Sequence, residues 1–394
     1  MWFAYFLNYC DRQAVFSMFP RLKSDLGFTD SQLGLVGSIF LWVYGLSSFV
    51  TGQLGDRLPK RHLIILSLCL WSLVTIGTGL AASPTMLLSL RACMGISEAL
   101  FMPVAIALTA NAFAPQHRSR AIATLTTAQI FGSVGGGWFG GWMAQQGHWR
   151  SAFFILGAIG LAYAIPYFAF LRTSTRGETQ ESSSELKPAG SLAAVARTPT
   201  YWILCLAFST FVFGLWLLYG WLPNFLHERF SLDLSEAAFN ATFFLQGATL
   251  IGLLIGGMVA DRLYRQTRAA RLWLLTVSLL GCAPCLHGLG VSDTLLTTRG
   301  MAVGFGLMSG FFMGNIFPST FEVVPAHSRA SAVGLLNLFG AVISGFGTLF
   351  GGIWKQSLGI PVLFSSTALA YAVVGLVVVV GIKSAFPKDA ARSQ

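Results

Sequence analysis

Long apolar runs dominate the chain, each about the length of one membrane crossing and each closed by a short polar or charged stretch. An apolar run of about 20 residues is read as a helix that spans the bilayer. Twelve such spans are predicted: 1–22, 32–54, 62–82, 85–109, 119–144, 150–171, 199–226, 236–260, 270–291, 294–317, 328–352 and 360–382. No stretch shows sustained strand-type alternation, so the expected fold class is an all-α membrane protein.

The polar intervals carry orientation. Arg57, Lys60, Arg61, Arg118, Arg120, Arg172, Arg176, Lys187, Arg197, Arg262, Arg265, Arg268, Arg271, Arg329, Lys383, Lys388 and Arg392 fall in alternate loops and the tail. The other loops hold only Arg21, Lys23, Arg150, Arg229 and Lys355. By the positive-inside rule both termini are expected in the cytoplasm. Met1 opens almost directly into WFAYFLNY, with neither a basic n-region nor a small-residue cleavage site, so no cleavable signal peptide is expected.

Arg172 to Gly190 is polar, Ser-rich and Pro-containing, which reads as a linker. The expected organisation is a six-helix bundle over 1–171, a cytoplasmic linker over 172–198, a second six-helix bundle over 199–382 and a tail over 383–394. The halves repeat. Asp56-Arg57 answers Asp261-Arg262, Arg91 answers Arg299, Pro115 answers Pro325, and Phe139-Gly140-Gly141 answers Phe350-Gly351-Gly352, in one order and at nearly constant offset. Parallel repeats of this kind place a substrate site at mid-depth between the halves, worked by alternating access. The repeat breaks at Glu98, whose counterpart is Gly306, and at Asp11-Arg12, which have none.

Composition narrows the class. Residues are 54% hydrophobic and 10% charged, against about 25% charged in soluble chains. The net charge of +10 sits in loops rather than in a basic stripe interleaved with stacking aromatics, which argues against nucleic acid. Cys282 and Cys285 have C-x-x-C spacing but lie inside an apolar span, where small apolar filler is the expected role. There is no metal-ligand cluster and no catalytic triad signature, so no enzyme activity, metal or cofactor is expected.

Four residues break the apolar rule from within: Asp11 and Arg12 in the first span, Arg91 and Glu98 in the fourth. A charge at mid-membrane costs about 2.5–3.5 kcal/mol even on the mild insertion scale and marks an ion or substrate pathway. Seven residues separate Arg91 from Glu98, which puts them on one helix face about 10 Å apart in depth. That is too far for an easy direct pair, so each needs another partner. An arginine offers a fork suited to a carboxylate. Asp11 and Glu98 are the expected proton-coupling acids, and Arg12 and Arg91 the expected anion ligands. In the empty, outward-facing carrier Asp11 is expected beside Arg91 or Arg12.

Gly52-Gln-Leu-Gly-Asp56-Arg57-Leu-Pro-Lys-Arg61 resembles the loop signature of the major facilitator superfamily, with Pro59 where glycine is usual. The resemblance implies twelve helices in two pseudo-symmetric bundles. It also implies gating roles for Gly52, Asp56, Arg57 and Arg61, and for Asp261 and Arg262 in the repeat. The chain further resembles the anion:cation symporter family. Its marks are Asn8-Tyr9-Cys10-Asp11-Arg12, Trp42-Val-Tyr44-Gly45, Trp71-Ser72-Leu73, Arg91 to Glu98-Ala99 with Pro103, Gly147-His-Trp149-Arg150, and Val324-Pro325 through Gly334 to Asn337. That resemblance implies symport of a small organic anion, such as a sugar acid, with protons. It adds Tyr44, Gln129 and Asn337 to the substrate-binding set, polar groups on separate spans that suit hydroxyls. A carrier in the inner membrane, probed by its substrate, protons and lipid and acting as a monomer, is the expectation.

Two likenesses pull elsewhere. Gly132, Gly136, Gly137, Gly140 and Gly141 resemble the glycine-rich motif of drug/proton antiporters, with Gly137 in place of its proline; close packing through small residues is the plainer explanation. N-Y-x-D-R and G-I-x-E-A also resemble Spinster-type lysolipid carriers. Arg299 and His287 are expected to be interfacial, and Trp216, Tyr219 and Trp221 to wall a cavity or form an aromatic belt.

Overall fold

The computed structural model describes the backbone of residues 1–57, 60–112, 115–174, 195–325 and 328–392. It describes their side chains apart from 49–57, 60, 61, 103, 107, 110, 111, 115, 116, 118–120, 122, 123, 170–174, 330 and 392. The described elements are all helices. They are α1 (Trp2–Ser17), α2 (Phe19–Leu26), α3 (Asp30–Arg57), α4 (Lys60–Gly79), α5 (Pro84–Ala99), α6 (Phe101–Ala112), α7 (Pro115–Gln145) and α8 (Trp149–Ser174). After the linker come α9 (Pro199–Phe230), α10 (Leu234–Tyr264), α11 (Ala270–Val291), α12 (Leu295–Val323), α13 (Arg329–Trp354), α14 (Ile360–Ser384) and α15 (Phe386–Arg392). The helices confirm an all-α membrane protein. Among the described residues nine helices are long and apolar enough to cross a membrane, or ten if a bent pair counts as one span. Charged α1 and glycine-rich α7 fall outside that number.

The first predicted span is broken at a proline, and the fourth is interrupted for one residue while still counting as a single crossing over Pro84–Ile106. The first stops at Ser17, and α2 starts with Pro20 in its first turn before turning through Gly27, at φ +69°, into α3. Phe19–Leu26 and the following Asp30–Ser48 meet at 119°. The fourth divides at Leu100 into α5 and α6. Pro103 has no N–H to offer the carbonyl four residues back, at Ala99. Helix starts are signalled locally. The Ser83 hydroxyl accepts from Met86 N at 3.2 Å and Thr294 from Thr297 N at 3.2 Å, side-chain caps of the usual kind. The tail is helical rather than featureless. Buried Asp389 of α15 accepts from both the amide and the hydroxyl of Thr200, at 2.9 and 2.7 Å, capping the start of α9. Pro387, in the first turn of α15, was a readable start signal.

The chain forms two compact units. The first holds Met1–Ser183 with Tyr219–Thr242 and Thr348–Ile353; the second holds Ser184–Leu218, Phe243–Gly347 and Trp354–Gln394. The expected linker lies, over 175–194, outside the described residues. In the first unit α1 lies along α7, α3 along α5 and α4 along α8. A Cβ on Gly132, Gly136 or Gly140 would strike the backbone of Phe6, Cys10 or Ala14, so two four-residue ladders interlock. The glycines of α7 thus serve close helix packing. Trp71 and Phe101 meet edge to face at 5.0 Å in a core with Tyr5, Leu68, Ala105 and Ala128. Trp221 is fully buried and donates to the Thr348 carbonyl at 2.8 Å, while Ser38 and Thr348 hydroxyls pair at 2.8 Å. In the second unit α11 packs on α12 and α14. Phe211 stacks on Phe312 at 4.2 Å, and Tyr371 donates to the Phe211 carbonyl at 2.6 Å.

Candidate functional site

The four charges in the apolar interior come together inside the first unit. A Cβ on Gly95 would lie 2.9 Å from Phe40 O and 3.0 Å from Tyr44 N, so α5 runs tightly against α3 just before Glu98. The glycine ladder fixes α1 on α7. Arg12 of α1 and Glu98 of α5 meet across the helices, and Arg12 Nε donates to Glu98 Oε2 at 2.5 Å. Both side chains are buried. Charge-assisted pairing of this kind is strong, and stripping one partner leaves an uncompensated buried charge.

Three rings enclose the Arg12 guanidinium. Its Cζ lies 4.9 Å from the Tyr9 ring centre, 4.9 Å from Phe40 and 4.7 Å from Tyr44. Ring faces attract a cation electrostatically, the more so when it is desolvated. Phe40 and Tyr44 are stacked at 5.7 Å, one helical turn apart on α3. With its faces covered and Nε on Glu98, Arg12 keeps Nη2 without a protein partner.

Arg91 is fully buried, and no carboxylate among the described residues lies within ion-pair distance of it. Its Nε reaches Val36 O at 3.4 Å, its Nη1 the Met94 sulfur at 3.1 Å, and its Cζ lies 5.0 Å from the Phe40 ring centre. A long bond and a weak sulfur acceptor leave much of this fork unsatisfied, and Nη2 has no protein partner. Asp11 pairs with neither arginine in this structure. The Thr75 hydroxyl of α4 stands 3.1 Å from Asp11 Oδ2, and also 2.9 Å from the Trp71 carbonyl one turn back on its own helix. That contact occupies the acid on the α4 side, while Oδ1 has no protein partner.

Of the other expected ligands, Tyr44 belongs to the cage. Gln129 accepts from the Tyr5 hydroxyl at 3.1 Å, and Tyr5 meets Tyr9 edge to face at 5.1 Å, so Gln129 joins the same wall. Asn337 lies exposed on α13 in the second unit. Gly52, Asp56 and Arg57 lie in the helical backbone of α3, and Arg61 in that of α4, but outside the described side chains. Asp261 at the end of α10 is exposed and pairs at 3.4 Å with Arg271, which binds Glu322 at 2.5 Å. Arg262 is exposed beside it. His287 lies 2.9 Å from the Ser365 hydroxyl, and Arg299 sits over Phe244 at 5.3 Å.

Sequence reasoning passed over Phe40, Thr75, Arg271 and Glu322. Phe40 had a signal, since it precedes Tyr44 by one helical turn and shares its face. Thr75 had none, because a threonine bonded to the carbonyl four residues back is ordinary in an apolar helix.

Residues 1–348 match the family described as Major Facilitator Superfamily. A probable sulfoacetate transporter of Cupriavidus necator is 32% identical over 295 residues, which cover 70% of this chain and 68% of that protein. A probable L-galactonate transporter of Escherichia coli is 26% identical over 359 residues, 87% of this chain and 79% of that one. The crystal structure of a bacterial homolog to the human lysosomal transporter Spinster, in an inward-facing and unoccupied conformation, matches with a TM-score of 0.77 and 23% identity over 100% of this chain and 95% of that one. At that identity the likeness speaks for the fold. The chain belongs to the Major Facilitator Superfamily, a family of multi-pass membrane transporters rather than enzymes.

Proposed function

We propose that this transporter imports a small organic anion together with protons, by alternating access, across the inner membrane with both termini in the cytoplasm. The observation that carries the reading is the buried Arg12–Glu98 pair inside its aromatic cage. A proton on Glu98 cancels the charge that holds Arg12 and frees a caged guanidinium for a carboxylate or sulfonate. Arg91, lacking an acid of its own, is the second cation for the anion. Asp11 is the second proton site. Tyr44, Gln129 and Asn337 would bind the remaining polar groups of the substrate. The printed names of the two sequence relatives, for sulfoacetate and L-galactonate, support an organic anion as cargo. The charges at Asp56, Arg57, Arg61, Asp261 and Arg262 would hold one state of the cytoplasmic gate, with Arg271 and Glu322 added to the set.

Two acids suit the energetics. Carrying one negative charge inward against an inside-negative potential costs about 2.3 kcal/mol per 100 mV. More than one proton per monovalent anion reverses the sign of that cost.

The test begins with ligand-induced thermal shifts of the purified protein at acid and alkaline pH. The panel holds sulfonated and sugar acids, aromatic acids, lysolipids and cationic dyes. Stabilisation by one organic anion, stronger at acid pH, is expected, followed by pH-driven uptake of that anion into proteoliposomes with inward positive current. Stabilisation by lysolipids alone would replace the reading with a Spinster-like lipid carrier, and by dyes alone with a drug exporter.

A further inference from the structure

Asn8 is fully buried, and neither its amide nitrogen nor its amide oxygen makes a hydrogen bond of full geometry. It sits three residues before Asp11 and four before Arg12, on their face of α1. It stands beside Glu98, close enough to act on the carboxylate charge. Glu98 gives Oε2 to Arg12, and its Oε1 has no fully formed bond. An amide and an acid of complementary polarity therefore lie next to the same ion pair, each with unsatisfied polar atoms.

The chemistry of the two Glu98 neighbours differs in one respect. A guanidinium has only donors and can serve the carboxylate but not the hydroxyl of a protonated acid. An amide has a donor and an acceptor, so it serves both forms. Burying a carboxylic acid hydroxyl without an acceptor is unfavourable. We propose that Asn8 is the positioning residue that receives Glu98 once Glu98 is protonated, and so releases Arg12 to the ligand. The Glu98 hydroxyl donates to Asn8 Oδ1, and Asn8 Nδ2 donates to the Glu98 carbonyl oxygen. The proton comes from solution, and no other bond is made or broken. The inference rests on the proton-coupled reading above. The charged and titratable groups around Glu98 are Asp11, Arg12 and Tyr9 of α1, Tyr44 of α3 and Arg91 of α5. Asn8 stands with these groups, does not titrate, and offers both a donor and an acceptor at any pH.

The test needs no substrate. Infrared difference spectra of the reconstituted full chain, recorded on acidification, report the C=O stretch of each newly protonated carboxyl. The band that Glu98→Gln removes belongs to Glu98. In Asn8→Leu, which keeps the shape of the side chain but no polar atom, that band is expected to move to higher wavenumber as the carboxyl loses its hydrogen bonds. An unmoved band would mean that the Glu98 proton is bonded elsewhere, and the role of Asn8 would fall while proton coupling at Glu98 stands. If Glu98→Gln removes no band, Glu98 takes no proton, and the coupling reading falls together with the role of Asn8. Should Asn8→Leu fail to fold, Asn8→Ala is read in the same way, with thermal unfolding as the check that it is native.

Discussion

Glu98 and Gly306 hold corresponding places in the two halves of the sequence, and their surroundings differ. Glu98 is fully buried and holds Arg12. At Gly306 there is no room for any side chain. A Cβ there would strike the Leu245 carbonyl oxygen and come within 2.8 Å of the Ala248 Cβ, because α12 runs directly against α10. Arg91 and Arg299 differ in the same sense. The first is fully buried under Phe40 without an acid partner, while the second is half-buried over Phe244. One repeat has turned its mid-span positions to charge, the other to helix contact. A buried charge needs partners supplied by neighbouring helices, and tight glycine packing removes the space in which partners could stand.

The largest expected effect comes from forcing the second half to imitate the first. Gly306→Glu combines a backbone clash with an unpartnered buried acid and is expected to give no folded protein in detergent. Recovery of a monodisperse, cooperatively unfolding species would break the comparison. Next is the site itself. Glu98→Gln is expected to abolish pH-driven accumulation in proteoliposomes and to spare exchange of substrate, and Arg91→Lys to lose most transport because a point charge cannot replace the fork. Driven uptake in Glu98→Gln, or normal uptake in Arg91→Lys, would return that residue to a structural role.

Arg12→Leu sharpens the energetic side. It leaves Glu98 buried without its cation, which costs about 3–5 kcal/mol in comparable pairs. A large fall in the thermal midpoint is expected, and the double variant Arg12→Leu with Glu98→Leu should recover most of it. The glycine contacts are smaller in scale. Gly136→Ala drives a methyl into the Cys10 backbone and should cost about 1–3 kcal/mol. Gly247→Ala meets nothing within 4 Å and should be neutral or gain up to about 1 kcal/mol. Smallest is Asp261→Asn. Its partner contact is 3.4 Å with the Asp261 side chain 77% exposed, so a change below about 1 kcal/mol is expected. A fall as large as that of Arg12→Leu would make the α10 end as structural as the buried site.

The fold was legible because a bilayer asks one simple thing of a sequence, an apolar run long enough to cross it. α11 begins and ends where the run from 270 to 291 does. The first span differs from its prediction where Pro20 interrupts an apolar run without making it less apolar, and the tail folds on a single buried acid, Asp389, which hydropathy does not reveal. The candidate site was legible to the same depth. Asp11, Arg12, Arg91 and Glu98 stood out because ionisable groups are expensive in such runs. Their partners did not, since Thr75, Phe40 and Asn8 are unremarkable one at a time.

By itself the sequence determined that this protein lives in a membrane, is built of helices in a repeated half, and keeps its ionisable interior in the first half. Those are properties of single segments, set by the transfer cost of side chains and by the period of the helix. Only the tertiary structure decided that Glu98 holds Arg12 rather than Arg91, that Asp11 meets a threonine, and that three rings close over one guanidinium. Such pairings depend on distances of a few ångströms between different helices. Glycines also let backbones touch, Gly95 of α5 against α3 and Gly132, Gly136 and Gly140 of α7 against α1.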